Sequence, residues 1–260
     1  GADAVGIFEI GSVYFPALGA GAVAPRLAVT ARPSTGEIAD IAAAIPSQPR
    51  HLAAVLCGPW ERPGWWGPGR TADWSDAIGL AVRIIGDVGV TADVSAGLDA
   101  PFHPGRTAAL SVAGAVVGSA GELHPRVCAA WGLPPRTVAF EFDLDAVTAL
   151  AADLTVTAPT LRIMPVAKED VALVVTADTP AAAVAQALRE GGGDLLESVR
   201  LFDVYTGAQV GEGNKSLAFS LRFRAGDRTL AVEEVTAARN AAVTRAAEAT
   251  GAVLRGPSGS

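Results

Sequence analysis

The sequence predicts an α+β protein whose second half folds in the order β-α-β-β-α-β. The first observation is a strand that alternates strictly between two kinds of residue, so that one face is buried and the other is open. The apolar face carries Leu217, Phe219, Leu221 and Phe223, and the open face carries Ser216, Ala218, Ser220, Arg222 and Arg224. The second observation is a glycine-rich segment at 207–215, which joins this strand to the preceding strand as a hairpin.

The elements around this hairpin complete that order. Alternating apolar residues at 171–175 predict a strand, and residues 179–190 predict a helix with Pro180 in its first turn. Residues 232–250 predict a long alanine-rich helix, which ends at a glycine and is followed by a short strand at 252–255. The result is the ferredoxin-like arrangement, in which two helices cover one face of a sheet and leave the other face available.

The first half predicts a second core built from strands and helices. Residues 8–15 and 138–144 predict strands, and residues 74–85 predict an amphipathic helix. A hairpin is predicted to turn at 118–121, a segment that begins and ends with glycine. Residues 59–69 form a Gly/Pro-rich loop with three tryptophans. We expect this loop to fold onto its own aromatic rings, and contact with a partner is the alternative.

Length and composition agree with two domains, because 260 residues, half of them apolar, can bury two modest cores. We assign residues 1–154 to the first domain and residues 166–256 to the second. Residues 155–165 contain prolines and predict an extended linker, and residues 257–260 predict a disordered tail.

The distribution of charge favours the second domain as the site of nucleic-acid binding. The chain has a net charge of −7, with 9 basic against 15 acidic residues in 1–159 and 11 against 12 in 160–260. Most of the acidic excess therefore lies in the first domain, and a near-neutral second domain predicts modest, salt-sensitive binding. The second domain also holds a group of arginines, which are Arg200, Arg222, Arg224 and Arg228.

Several classes of protein are disfavoured by the sequence. No apolar run approaches the roughly 20 residues that span a bilayer, and no signal-peptide pattern opens the chain, so we expect a cytoplasmic protein with no membrane partner. Cys57 and Cys128 lie in apolar contexts and share no metal-ligand spacing with a histidine. We therefore expect no metal site.

Five stretches of the sequence resemble one known family, in that family's order along the chain. Residues 165–235 resemble the ferredoxin-fold anticodon-binding domain that ends the β subunit of bacterial phenylalanine–tRNA ligases. Four earlier stretches resemble the domain that precedes it there: FEIGSVYF (8–15), HLAAVLCG (51–58), DAPFHPGRTAAL (99–110) and VVGSAGELHPRVCAAWGLP (116–134). The resemblance covers nearly the whole chain. It implies a C-terminal fragment of that subunit, because the subunit's upstream RNA-binding, editing and helical domains have no counterpart in this sequence.

The resemblance also implies a function for the complete enzyme. Ligases of this family are α2β2 tetramers that use ATP and Mg²⁺ to attach L-phenylalanine to tRNA(Phe), with the catalytic site in the α subunit. The first domain would be a class II synthetase core that has lost catalysis and supports the α subunit, and the second would bind the tRNA anticodon. The expected partners are tRNA(Phe), the α subunit and a second αβ pair, with no DNA.

One position supports a non-catalytic first domain. Class II cores hold ATP with an arginine that stands two residues before a motif glutamate. Here Glu9 is present, but Ile7 occupies the position of the arginine. An apolar side chain cannot pair with a triphosphate, so the main charge stabilisation would be lost. We therefore expect no catalytic residue and no bound cofactor in this chain.

The segment 102–107 has a site-like composition, with His103 and Arg106 on either side of a Pro-Gly pair. In a functional interpretation, Arg106 binds phosphate and His103 acts as a base. In a structural interpretation, the Pro-Gly turn sets the entry to a strand and Arg106 pairs with a nearby carboxylate. We favour the structural interpretation, because the sequence supplies no partner that would position the histidine.

We predict that the tRNA-binding residues lie on the open face of the second domain's sheet. Basic and hydroxyl side chains would donate to the RNA, and an aromatic ring would stack on a base. The predicted set is Arg200, Tyr205, Lys215, Ser220, Arg222 and Arg224, with Phe202 as the alternative stacking ring. Because residues 199–205 do not alternate cleanly, Phe202 could instead belong to the core and the arginines could form a solvated strand edge.

Two other functions remain open at the level of sequence. One is a non-enzymatic RNA-binding or assembly protein that keeps the same pair of domains. The other is a ferredoxin-like regulatory domain that binds a small molecule. A reading frame that continues upstream into editing domains would argue against the first, and binding of a nucleotide or amino acid would favour the second.

Overall fold

The structure is a computed structural model that describes residues 4–15, 31–151, 155 and 163–255. The chain divides into two compact units, Gly1–Thr157 and Ala158–Ser260. Most of the predicted linker at 155–165 and all of the predicted tail at 257–260 lie outside the described residues.

The first unit is built on one antiparallel sheet of six strands in the order β1-β2-β8-β7-β6-β5. The strands of that sheet are β1 (Val5–Ser12), β2 (Arg50–Cys57), β5 (Ala92–Ala96), β6 (Phe102–Val112), β7 (Ala115–Leu123) and β8 (Val138–Asp143). Two further strands, β3 (Pro59–Glu61) and β4 (Arg70–Thr71), pair with each other outside it. The helices of the unit are α1 (Thr35–Ala44), α2 (Trp74–Asp87), α3 (Pro125–Trp131) and α4 (Leu144–Ala151). The strands predicted at 8–15 and 138–144 and the helix predicted at 74–85 are confirmed, with boundaries shifted by a few residues.

Helix α2 provides the main apolar cover of this sheet. Its buried residues recur every four positions, at Ala77, Ala81 and Ile85, so they form one stripe along the helix. They belong to the same buried cluster as Phe140 and Phe142 of β8. The amphipathic pattern of the sequence therefore corresponds to a helix that packs on the sheet.

The hairpin turn predicted at 118–121 is wrong. The chain turns at Ala113 and Gly114, where φ is 49° and 80°, and β7 runs without interruption through Gly118 and Gly121. These glycines serve close packing between strands. A Cβ atom at Gly118 would overlap the carbonyl oxygen of Glu141 on β8, and one at Gly121 would overlap that of Arg106 on β6.

The tryptophan loop folds partly onto its own rings, because Trp65 and Trp66 pack edge to face with ring centres 5.7 Å apart, although all three rings keep exposed surface. Residues 59–71 form the small hairpin β3–β4, and the exposed fractions of Trp60, Trp65 and Trp66 are 44%, 94% and 62%. Trp66 lies against Gly64, where a Cβ atom would come within 2.6 Å of the indole ring. The hairpin is joined to α2 by an ion pair between Arg70 and Asp76, with Nη1 and Oδ2 2.6 Å apart.

The second unit confirms the predicted β-α-β-β-α-β order. Its elements are β9 (Ala167–Thr176), α5 (Ala181–Gly192), β10 (Leu196–Tyr205), β11 (Asn214–Phe223), α6 (Val232–Thr250) and β12 (Val253–Leu254). The four strands form one antiparallel sheet in the order β10-β11-β9-β12. Pro180 is the N-cap of α5, one position before the first turn in which it was predicted. Gly251, at φ 68°, ends α6 in the left-handed conformation, as the sequence indicates.

The core of this unit lies between the sheet and its two helices. The central strand β11 buries Leu217, Phe219, Leu221 and Phe223 completely. The same cluster includes Val184 and Leu188 of α5 and Ala242 and Ala246 of α6. Because both helices pack on this one face, the other face of β11 keeps its polar side chains outside the core.

Two glycines of the first unit give substitutions with opposite expected effects. We expect Gly121→Ala to lower the free energy of unfolding by at least about 2 kcal/mol, because the new methyl group meets backbone that cannot rotate away. Gly79, in the middle of α2, has open space around a Cβ atom, so Gly79→Ala should raise that free energy by roughly 0.5–1 kcal/mol. Urea unfolding followed by tryptophan fluorescence measures both, because all the tryptophans lie in this unit. Equal effects of the two substitutions would contradict the close approach at Gly121.

The ion pair that joins the tryptophan hairpin to α2 predicts a pH dependence. Two hydrogen bonds from Arg70 lower the pKa of Asp76, whose side chain is 6% exposed. A lowered pKa in the folded state means that the stabilisation is complete above pH about 4, where an unfolded aspartate is also ionised. It is lost as the pH falls through the folded-state pKa.

We expect Arg70→Met to lower the free energy of unfolding at pH 7 by about 1 kcal/mol, and to flatten its decrease between pH 4 and 2. Urea unfolding at a series of pH values measures this. Asp76→Asn is the matched variant and should show the same flattened profile. Parallel profiles for Arg70→Met and the parent chain would show that the pair carries no pH-dependent stability.

Candidate nucleic-acid interface

Two adjacent rungs of the four-stranded sheet bring polar side chains together on its open face. One rung consists of Ser198, Arg222 and Lys168, and the other of Arg200, Ser220 and Asp170. In each rung the β11 residue lies between its β10 and β9 partners. Directly opposite Cβ atoms are about 4.5–5.5 Å apart, and successive rungs on one face are about 7 Å apart. The six side chains therefore form one contiguous patch.

A β-bulge explains why residues 199–205 do not alternate cleanly. The register of β10 against β11 shifts between Leu201 and Asp203, so that Phe202 is an extra residue on β10. Because of this residue, Arg200 and Tyr205 lie on the same face although they are five positions apart. Phe202 also lies on that face and is 53% exposed. The alternative that places Phe202 in the core is therefore wrong.

The patch is concave and cationic. It encloses about 370 Å³ of open space, and its walls carry three cationic side chains, one carboxylate, two hydroxyls and one aromatic ring. The lining residues are Lys168, Asp170, Ser198, Arg200, Phe202, Ser220 and Arg222. We call this surface the cationic concavity. Its mixture of positive charge, donors and one exposed ring is typical of surfaces that bind single-stranded nucleic acid.

The cations of this surface have no partner among the described residues. No hydrogen bond or ion pair within the described part of the chain engages the side chains of Lys168, Arg200 or Arg222. Most other arginines of this unit face carboxylates instead: Arg224 faces Glu197, Arg228 faces Glu234, Arg239 faces Glu169 and Arg245 faces Glu190. The positive charge of the concavity is thus available to an external anion.

The opposite end of the open face has a different chemistry. Tyr205 lies opposite Ser216, and the guanidinium carbon of Arg255 stands 5.7 Å from the centre of the Tyr205 ring. Arg255 also donates to Gln209 Oε1 at 2.6 Å. Ser216 is only 4% exposed although it lies on the open face. Tyr205 therefore belongs to a partly covered aromatic end of the sheet, outside the cationic concavity.

Two residues of the predicted set lie apart from the concavity and make contacts of their own. Lys215 donates to the carbonyl oxygen of Ala177 at 2.7 Å. Arg224 follows the end of β11, and its Nε lies 3.3 Å from Glu197 Oε1, with 19% of its side chain exposed. The structure thus gathers Arg200, Ser220 and Arg222 from the predicted set and separates Tyr205, Lys215 and Arg224. Contact of any of these residues with tRNA stays a prediction.

The prediction missed two residues that the sequence already indicated. Alternation along β9 buries Val171, Leu173 and Val175, so even-numbered positions of the same strand face the opposite side. Lys168 and Asp170 therefore belong on the open face, where the structure places them. Their distance along the chain from the hairpin concealed the connection, because only strand pairing brings β9 beside β11.

In the first unit, the predicted pairing of Arg106 with a nearby carboxylate is confirmed, and the predicted turn at the entry to a strand is wrong. Arg106 Nη1 donates to Glu122 Oε1 at 2.7 Å, and the Glu122 side chain is 4% exposed. His103 Nδ1 accepts a hydrogen bond from the backbone N–H of Gly105 at 3.0 Å, so its ring is held by its own segment. The Pro-Gly pair lies inside β6 and does not precede it.

Strand β1 presents an apolar surface at the position where the arginine of a catalytic core is expected. Ile7, Phe8 and Ile10 are 61%, 74% and 52% exposed. Ile7 and Phe8 line a shallow concavity of about 180 Å³, together with Glu9 and the β2 residues Ala53, Ala54 and Val55. Among the described residues, no basic side chain lines this concavity.

The described residues contain no group of three or more His, Cys, Asp or Glu side chains that is placed to hold a metal ion. Within the same residues, every helix is too short or too polar to cross a membrane.

Comparisons with known proteins identify both units. Residues 1–144 match the model of the phenylalanyl tRNA synthetase beta chain CLM domain, and residues 163–255 match the ferredoxin-fold anticodon binding domain. The phenylalanine–tRNA ligase beta subunit of Thermobifida fusca (strain YX) is 57% identical over 256 residues, which are 97% of this chain and 31% of that protein. The corresponding subunit of Streptomyces avermitilis is 51% identical over 259 residues, or 98% of this chain and 31% of that protein. The chain thus spans about a third of the length of these curated relatives.

The buried carboxylate of Glu122 makes the role of Arg106 testable. We expect Arg106→Met to lower the free energy of unfolding of the first unit by about 2 kcal/mol. This is below the roughly 3–5 kcal/mol of fully buried pairs, because Arg106 is partly exposed and Arg136 Nε remains 3.6 Å from Glu122 Oε2. Urea unfolding followed by tryptophan fluorescence measures this. The double variant Arg106→Met with Glu122→Gln should recover most of the loss, since the buried charge is removed as well. A double variant no more stable than Arg106→Met would contradict a structural ion pair.

Proposed function

The chain belongs to the phenylalanyl-tRNA synthetase β-chain family, and we propose on this basis that the whole protein acts in attaching L-phenylalanine to tRNA(Phe). In this proposal the protein works with a catalytic α subunit in a cytoplasmic α2β2 assembly that uses ATP and Mg²⁺. The first unit supports the α subunit without catalysing the reaction, and the second unit binds the anticodon region of the tRNA.

The open face of the second unit carries the proposal. Its unpaired cations suit phosphate oxygens, its hydroxyls suit sugar and base edges, and its exposed ring suits a splayed base. Anticodon bases are single-stranded, so a flat sheet can reach their faces, whereas the deep major groove of an RNA duplex excludes side chains. The match of residues 163–255 to the anticodon binding domain supports the same ligand.

The apolar character of β1 supports a non-catalytic role for the first unit. Nucleotide chemistry needs preorganised positive charge at the developing phosphate charge. The surface around Ile7 provides aliphatic and aromatic side chains instead. Exposed apolar side chains on an edge strand are typical of a surface that a partner covers, which suits a subunit that supports another.

The test of the RNA-binding proposal measures binding of the chain to tRNA(Phe) and to the same tRNA with a substituted anticodon, by fluorescence anisotropy across a salt series. We expect tighter binding of the native anticodon. The double variant Arg200→Ala with Arg222→Ala should weaken binding of the native tRNA by roughly ten- to a hundredfold, since charge-assisted hydrogen bonds to phosphate are lost. It should also reduce the dependence of affinity on salt.

The matched control is Arg83→Ala with Arg189→Ala, which removes two exposed arginines from helices α2 and α5 and changes the net charge equally. We expect this control to bind both tRNAs like the parent chain. If Arg200→Ala with Arg222→Ala retains the native affinity and preference, the open face is not the site of recognition.

A further inference from the structure

We infer that the cationic concavity is a subsite for a single unpaired nucleotide of RNA, with its phosphodiester between Lys168 and Arg222 and its base on Phe202. This inference rests on the proposed function and deepens it. The proposed nucleotide pocket does not include the rest of the open face, and Tyr205 lies outside it.

Lys168 and Arg222 form a like-charge pair with no carboxylate partner among the described residues. Lys168 and Arg222 lie directly opposite each other on neighbouring strands, where two like charges destabilise a sheet. No carboxylate among the described residues pairs with either side chain. Arg200 adds a third cation on the next rung. An anion held between Lys168 and Arg222 would convert this repulsion into two attractive contacts, and its binding would therefore stabilise the sheet.

The ring of Phe202 lines the same concavity as the cations. The bulge turns Phe202 onto the open face beside Arg200, where half of its surface contacts solvent. An exposed phenylalanine in the same concavity as Lys168 and Arg222 provides the second contact that one nucleotide requires, because each base has a face that stacks whatever its sequence. The enclosed volume of about 370 Å³ is at the lower end of the range for small-molecule sites, roughly 300–1,000 Å³.

The carboxylate of Asp170 limits the ligand to one phosphate group. Asp170 lies on the rung next to the Lys168–Arg222 pair, and a carboxylate only accepts hydrogen bonds. A second phosphate group would meet this negative charge, whereas a ribose hydroxyl or a base N–H would donate to it. The concavity therefore suits a phosphodiester-linked nucleotide and disfavours a nucleoside triphosphate.

The charge pair is tested with inorganic phosphate as the probe and hydrogen exchange of the β11 amides as the readout. Added phosphate should slow exchange in the parent chain. Lys168→Met should slow exchange without phosphate, because repulsion of Arg222 is removed, and should abolish most of the phosphate effect. Arg189→Ala, on helix α5, should behave like the parent chain. Faster exchange in phosphate-free Lys168→Met, or an undiminished response of this variant to phosphate, would overturn the inference.

The stacking contact is tested with a single-stranded RNA trinucleotide and with the same trinucleotide lacking its central base. Phe202→Leu should weaken binding of the intact trinucleotide by about tenfold, the size expected for one stacked base. It should leave binding of the abasic trinucleotide unchanged. Equal losses for both ligands, or no loss for either, would show that no base stacks on Phe202.

These outcomes are distinguishable from failure of the proposed function. Anticodon-dependent binding of tRNA(Phe), combined with the contradicting results for phosphate and trinucleotide, would overturn the subsite and leave the function standing. The expected phosphate and trinucleotide results, combined with equal binding of both tRNAs, would support the subsite and overturn anticodon recognition.

Discussion

Burial of one face of β11 is the constraint on which the second unit depends. Leu217, Phe219, Leu221 and Phe223 are completely buried beneath α5 and α6. Because side chains alternate along a strand, the residues between them must face the opposite side of the sheet. A shift of one residue in register would bring Arg222 into the core, where an unpaired charge is strongly unfavourable. Hydrophobic burial on one face therefore fixes the chemistry of the other.

Charge is distributed unequally over this unit. Four arginines outside the concavity face carboxylates, as Arg245 of α6 does with Glu190 of α5. The cations of the concavity face one another across the sheet. Stability alone does not favour that arrangement, and unfavourable local interactions in natural proteins tend to occur at functional sites.

In the first unit, a buried carboxylate and two close backbone contacts are accommodated by neighbouring residues of the same unit. The Glu122 carboxylate is paired with Arg106, and the glycines of β7 allow neighbouring strands to approach. It also exposes large apolar side chains on β1 and on the β3–β4 hairpin. The second unit instead gathers cationic and hydroxyl side chains in its concavity.

The sequence by itself determined the element order of the second unit, the faces of β11 and the stripe on α2, because alternation and helical periodicity are local properties of the chain. It also indicated the resemblance that the family comparison confirms. Only the tertiary structure decided what depends on pairing: the bulge at Phe202, the juxtaposition of Lys168 with Arg222, and the role of Gly118 and Gly121 as contact points instead of a turn. Register joins residues that are distant along the chain, and the side-chain pattern of a single strand does not reveal its neighbour.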